Sequence, residues 1–257
     1  MAILFEFLMR LAFGLTLAMT VTSPVQVTAG FFRNHLYVVL GLSVLAFLVV
    51  FGSLAGGVAA VVAVLSYAGS VCYLYQAIRL GRIVLVLLAL VTLLGVLLGT
   101  PQLFFNDASG TLFSNASTTL LGSVLWLCDG PTSGLLLGFT LGAMLLGHWY
   151  LNTPTMQMGP LRRLLALMVF ALFLRILVCG VGLGATCTEG TLPAPWFVVL
   201  RWATGLAAPL VMAWMAERTL RIPNTQSATG ILYVAAVTVF TGELMSQLLS
   251  VTTRYPL

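Results

Sequence analysis

An all-α, polytopic bundle of about eight transmembrane spans is the fold this sequence predicts, and three features predict it. Apolar residues make up 60% of the 257 and charged residues 7%, against about a quarter charged in an ordinary soluble domain. The apolar residues gather into runs near the roughly 20 residues that cross a bilayer as helix. Arginines, with no lysine among the basic residues, flank most of these runs, where cytoplasmic loops collect positive charge. The whole chain, 1–257, reads as one integral membrane domain with little soluble mass.

Residues 132–163 set the frame. Fourteen uncharged residues, 134–147, lead into His148, Trp149 and Tyr150. Rings with an apolar body and a polar tip mark a membrane–water boundary. Asn152, Thr153 and Pro154 then stop the helix, and Arg162 and Arg163 follow.

In chain order, the first run is 3–21. It holds Glu6 and Arg10 and lacks a basic start, so it reads as a retained helix; a signal peptide needs a positive n-region. Val27-Thr28-Ala29 imitates a cleavage site all the same. The second run, 36–54, follows Phe31, Phe32, Arg33, Asn34 and His35. Gly56 and Gly57 turn into the third, 58–78, and Arg79 and Arg82 bracket the turn into the fourth, 83–98.

From 100 to 131 the character changes. Pro101, Asn106, Asp107, Gly110 and Asn115, among Ser and Thr, predict an outer loop. Within it 119–128 is apolar but about half the length of a span, and predicts an interfacial or re-entrant helix. The remaining runs are 134–151, 164–184, 196–216 and 230–249. Small residues are frequent, as at Gly52, Gly56, Gly57 and Gly180, Gly182, Gly184, and let helices approach closely.

Eight spans put both termini on one side. Arg33, Arg79, Arg82, Arg162, Arg163, Arg218 and Arg221 then fall on the opposite side, and Arg254 alone joins the termini. The count predicts termini outside and Arg162-Arg163 inside, in a bacterial inner membrane. Trp126 and Trp196 fall at the outer boundary, Trp149 and Trp214 at the inner one. Cys128 and Cys187 both lie outside, where a disulfide and two free thiols fit equally. The net charge of +5 comes from scattered arginines and gives no nucleic-acid footprint.

Two groups of residues carry chemistry. His35 opens the second run and His148 closes the fifth. Two histidines from different helices can clamp a b-type haem or handle protons for a quinone, with Tyr150, Arg162 and Arg163 placed to hold propionates or an anionic headgroup. Interfacial histidines also simply hydrogen-bond loop carbonyls or water. The second group is Arg10, Arg175, Arg201 and Glu243, all inside runs. Counting about 1.5 Å per residue places them roughly 10 to 14 Å below the outer face. Charges there must face the bundle interior and find partners. An Arg–Glu clamp, with Glu6 neutralising one more charge, and a pocket for an anion or quinone carbonyl are both consistent with that set.

No DxxxD, HExxH or Walker A motif is present, and no metal-binding or redox cysteine spacing. Ala108-Ser109-Gly110 has the look of a rhomboid serine site, but no histidine in an outer half serves it as base. The elements GFFRNHLYVVLGL and LLGHWYLNTPTM with PLRRL resemble those of uncharacterised bacterial polytopic membrane proteins over the first five helices. That resemblance implies a recurring protein type and no activity. Three functional classes stay open: a redox-associated subunit of a membrane complex that contacts quinone or haem b, a transporter or lipid- or anion-binding carrier, and a structural or assembly subunit. The bilayer and other membrane subunits are the expected partners, and the sequence does not decide whether the protein is an enzyme.

Overall fold

The computed structural model describes residues 2–99, 120–153, 157–190, 193–222, 224–251 and 253–257. Among them, eight helices are long and apolar enough to cross a membrane. They are α1 (Ala2–Val21), α2 (Ala29–Val49), α3 (Leu54–Leu74), α4 (Ile78–Leu98), α5 (Leu120–Asn152), α6 (Gly159–Glu189), α7 (Pro195–Arg221) and α8 (Thr225–Ser250). The polytopic all-α bundle read from the sequence is the fold. Pro101, Asn106, Asp107, Ser109, Gly110 and Asn115 lie outside the described residues.

One expectation is corrected. The apolar stretch ending at Cys128 is no separate interfacial or re-entrant helix but the first part of α5, which continues through Pro131 to Asn152. Proline removes a donor and normally breaks a helix. Here the Thr132 hydroxyl bonds the carbonyls of Cys128, at 2.7 Å, and Asp129, at 3.1 Å. Membrane helices tolerate proline where hydroxyls and neighbouring helices repair the local backbone. Asp129, counted with a polar loop, is buried.

The helices form two sets. α1 to α4 close a ring in which each helix packs on its sequence neighbour and α4 returns to α1; α5 to α8 do the same. The two rings meet chiefly along α1 and α5, the most buried spans. α1 and α5 run the same way, because Arg10 pairs with Asp129 while Ala18 meets Gly142. Their seam is built of small residues. A Cβ on Gly14 would overlap the Gly134 carbonyl and the Gly138 Cα, and one on Gly138 would overlap the Gly14 backbone. That is the close approach small-xxx-small helices achieve in lipid, where apolar burial gives no driving force between helices. The rings share a short likeness at this seam, Gly14-Leu15-Thr16-Leu17 against Gly138-Phe139-Thr140-Leu141.

The outward faces of α2 to α4, with Leu48, Val64 and Leu90 exposed, are apolar surface for lipid. The first ring's interior holds buried hydroxyls that bond their own helices, such as Ser66 to the Val62 carbonyl at 2.8 Å, with Thr16 and Thr92 3.3 Å apart between α1 and α4. The second ring differs. α7 contains a wide π turn at Ala203–Ala207, where the Ala208 N–H reaches the Ala203 carbonyl. Pro209, one turn on, would crowd the Gly205 carbonyl in a regular helix. The turn also brings Gly205 against the backbone of Gly242 on α8.

Candidate functional site

Six charged residues of the spans meet in one chain, in the half of the bundle nearer the termini. Arg10 contacts Glu6 at 3.2 Å, one turn earlier on α1, and Asp129 on α5 at 2.8 Å. Asp129 contacts Arg175 on α6 at 2.5 Å. Arg175 meets Glu243 on α8 side-on, Nε to Oε1 at 3.1 Å and Nη2 to Oε2 at 2.9 Å. Glu243 then contacts Arg201 on α7 at 3.1 Å. Three guanidiniums and three carboxylates alternate across five helices, and the side chains from Arg10 to Arg201 are at most 3% exposed.

This corrects the charge count made from sequence. Arg10, Arg175, Arg201 and Glu243 alone left an excess of positive charge; Asp129, together with Glu6, balances it. A sequence signal for Asp129 existed. Gly130, Gly134, Gly138 and Gly142 recur every fourth residue, which is one helix face continuing through Pro131. Cys179, Ser246 and Gln247 also belong to the site and carried no such signal.

Arg201 is the end of the chain, and like Arg10 it keeps one buried Nη1 without a partner among the described residues. Its Nη2 serves Glu243 and lies 3.5 Å from the Cys179 sulfur, and its Nε lies 3.5 Å from the main-chain oxygen of Leu257. Its Nη1, tucked over Gly205, has no hydrogen-bond partner among the described residues. Both amide atoms of Gln247, one turn from Glu243, also lack a partner there, although the residue is 5% exposed. Buried polar groups are nearly always bonded to protein or water, so Arg201 Nη1 and the Gln247 amide keep hydrogen-bonding capacity for another molecule. Below Arg201 the ring is filled by Leu172, Leu206, Leu232 and Val239, all buried. Beside it α6 and α7 part, leaving an apolar groove of about 550 Å³ lined by Ile176, Leu183, Val198, Trp202, Leu206 and Leu210.

The histidine group is arranged differently. His35 is buried, its Nδ1 2.6 Å from the Phe31 carbonyl and its ring 4.2 Å from Phe31 and 6.4 Å from Trp149. His148, next to Trp149, is exposed and turns to the Tyr233 hydroxyl of α8 at 3.2 Å. The Tyr150 hydroxyl bonds the Gln157 carbonyl. Arg162 bonds the Leu220 carbonyl at 2.9 Å, closing the last turn of α7, and Arg163 is exposed. Each of the first four thus has its own local partner. Among the described residues no three His, Cys, Asp or Glu side chains are placed to hold a metal ion, and all four thiols are free.

Comparison with protein-family models, with curated proteins and with solved structures finds no match for this chain.

Proposed function

We propose that the protein is a carrier of the bacterial inner membrane that binds a small anion inside the second ring, with Arg201 as the residue that receives it. The observation that supports this reading is the open Nη1 of Arg201, fully buried beside a glutamate that it shares with Arg175. An incoming anion adds to the hydrogen bonding of the Arg201 guanidinium, whose Nε carries only a 3.5 Å contact, while Glu243 retains Arg175.

A clamp alone explains the paired contacts but not the choice of six charges. Replacing a buried ion network by packed apolar residues is often neutral or stabilising by about 1–4 kcal/mol, and ionisable groups inside the membrane commonly mark ligand pathways. The redox reading, with quinone or haem b at His35 and His148, gains no supporting contact from their neighbours. The arginine-rich end is read as cytoplasmic and the termini as outside, on the arginine count.

Purified protein in liposomes tests the reading. Uptake of labelled acetate, benzoate or phosphate above protein-free liposomes, lost in Arg201→Gln and partly kept in Arg201→Lys, is the expected result. Uptake of none of the three, or uptake unchanged in Arg201→Gln, overturns it.

A further inference from the structure

After α8 the chain turns back into the bundle, and residues 253–257 reach Arg201 through the main-chain oxygen of Leu257. The Thr253 hydroxyl bonds the Tyr255 carbonyl at 2.8 Å, and the Trp126 indole bonds the Arg254 carbonyl at 3.0 Å. Glu189, at the end of α6, holds both Arg254 and the Tyr255 hydroxyl at 3.0 Å. The Pro256 carbonyl rests on Gly182, where a Cβ would overlap it. Leu257 is fully buried; its N–H points to Ser250 Oγ at 3.4 Å, and its main-chain oxygen accepts from Arg201 Nε and from the Ser246 hydroxyl.

An oxygen on a buried guanidinium and a hydroxyl, with a branched aliphatic group sealed beside it, is how an aliphatic acid would sit. The geometry points to the Leu257 seat as the ligand site of the carrier proposed above, built for a small aliphatic carboxylate, with residues 253–257 a tethered lid that occupies it until the acid displaces them. This rests on the anion-carrier reading and adds to it the substrate class and the gate. The apolar groove between α6 and α7, formed in part by Ile176 and Trp202 next in sequence to Arg175 and Arg201, suits the same chemistry. A tethered occupant competes at an effective concentration set by its short link, so loosening the lid exposes the seat and strengthens ligand binding.

Gly182→Ala isolates the lid. It places a methyl against the Pro256 carbonyl and leaves Arg201, Ser246 and Glu243 untouched, and alanine favours helix over glycine. Cys179, beside Arg201, is the reporter once Cys72, Cys128 and Cys187 are changed to alanine. Modification of Cys179 by an anionic sulfonatoethyl methanethiosulfonate, which forms a mixed disulfide and releases methanesulfinate, should rise by about tenfold in Gly182→Ala, the factor for about 1.4 kcal/mol of lost closure. Tyr255→Phe, which loses the Glu189 bond, should raise it less and serves if Gly182→Ala does not fold. Millimolar 4-methylpentanoate should slow the reaction in the opened protein, more than acetate does, and not when Arg201→Gln is added. An unchanged rate in folded Gly182→Ala and in Tyr255→Phe overturns the lid. Opening with equal protection by acetate and 4-methylpentanoate removes the aliphatic substrate class and leaves the carrier reading standing. Opening without protection by any of acetate, benzoate, phosphate or 4-methylpentanoate removes both.

Discussion

Glu243 stands between Arg175 and Arg201, 2.9 Å from the first and 3.1 Å from the second, and none of the three is exposed. Asp129 stands in the same way between Arg10 and Arg175. Each carboxylate joins two helices through two guanidiniums, so removing one leaves two buried cations short of a partner.

Asp129→Asn and Glu243→Gln should each lower stability by about 3–5 kcal/mol, the usual result of stranding a buried charge. Thermal unfolding in detergent measures it. Glu217→Gln, which touches the partly exposed Glu217–Arg221 pair, should barely move the midpoint, because exposed pairs contribute little. Equal midpoints for the buried and exposed variants would show that the chain does not hold the helices.

Gly138→Val tests the seam between the rings. The added side chain meets the backbone of Gly14, which has no flexible end to yield. Overpacking typically costs about 1–3 kcal/mol, and against backbone the upper end is expected. A sharp loss of monodisperse protein on gel filtration is the predicted result; wild-type yield and melting would mean the rings do not meet there.

Pro131→Ala tests the continuous α5. An alanine restores an N–H able to reach the Leu127 carbonyl, so melting should stay level or rise and helical circular dichroism should not fall. A chain that turned out of the membrane at Pro131 would lose stability on that change.

The redox alternative has its own measurement. The anion-carrier account expects a reduced-minus-oxidised difference spectrum of the purified protein without a b-haem band. A band lost in His35→Ala or His148→Ala would favour the redox class.

Much of the fold was legible because apolar runs of bilayer length are a coarse, strong signal. The runs at 36–54 and 58–78 each overlap a helix, shifted by several residues where α2 begins at Ala29 and α3 at Leu54. Part of the site was legible as well: Arg10, Arg175, Arg201 and Glu243 stood out because charge inside an apolar run is costly. Asp129 did not, because Gly130 and Pro131 beside it mimic a turn in a local reading. The folding-back of residues 253–257 has no period or composition to announce it, since its bonds to Trp126, Glu189 and Arg201 are all long-range. Nor does sequence show that His148 and Trp149, adjacent in the chain, face different helices.

The most direct test of the central claim is the melting temperature of the purified protein against anion concentration, in parent and in Arg201→Gln. A ligand that binds only the folded state stabilises by RT ln(1 + [L]/Kd), about 2.7 kcal/mol at 100 times Kd. The account predicts a midpoint that climbs with a monocarboxylate in the parent and stays flat in Arg201→Gln, each compared with its own anion-free melt. A midpoint that no anion moves in the parent, or one that rises equally in both proteins, would contradict it.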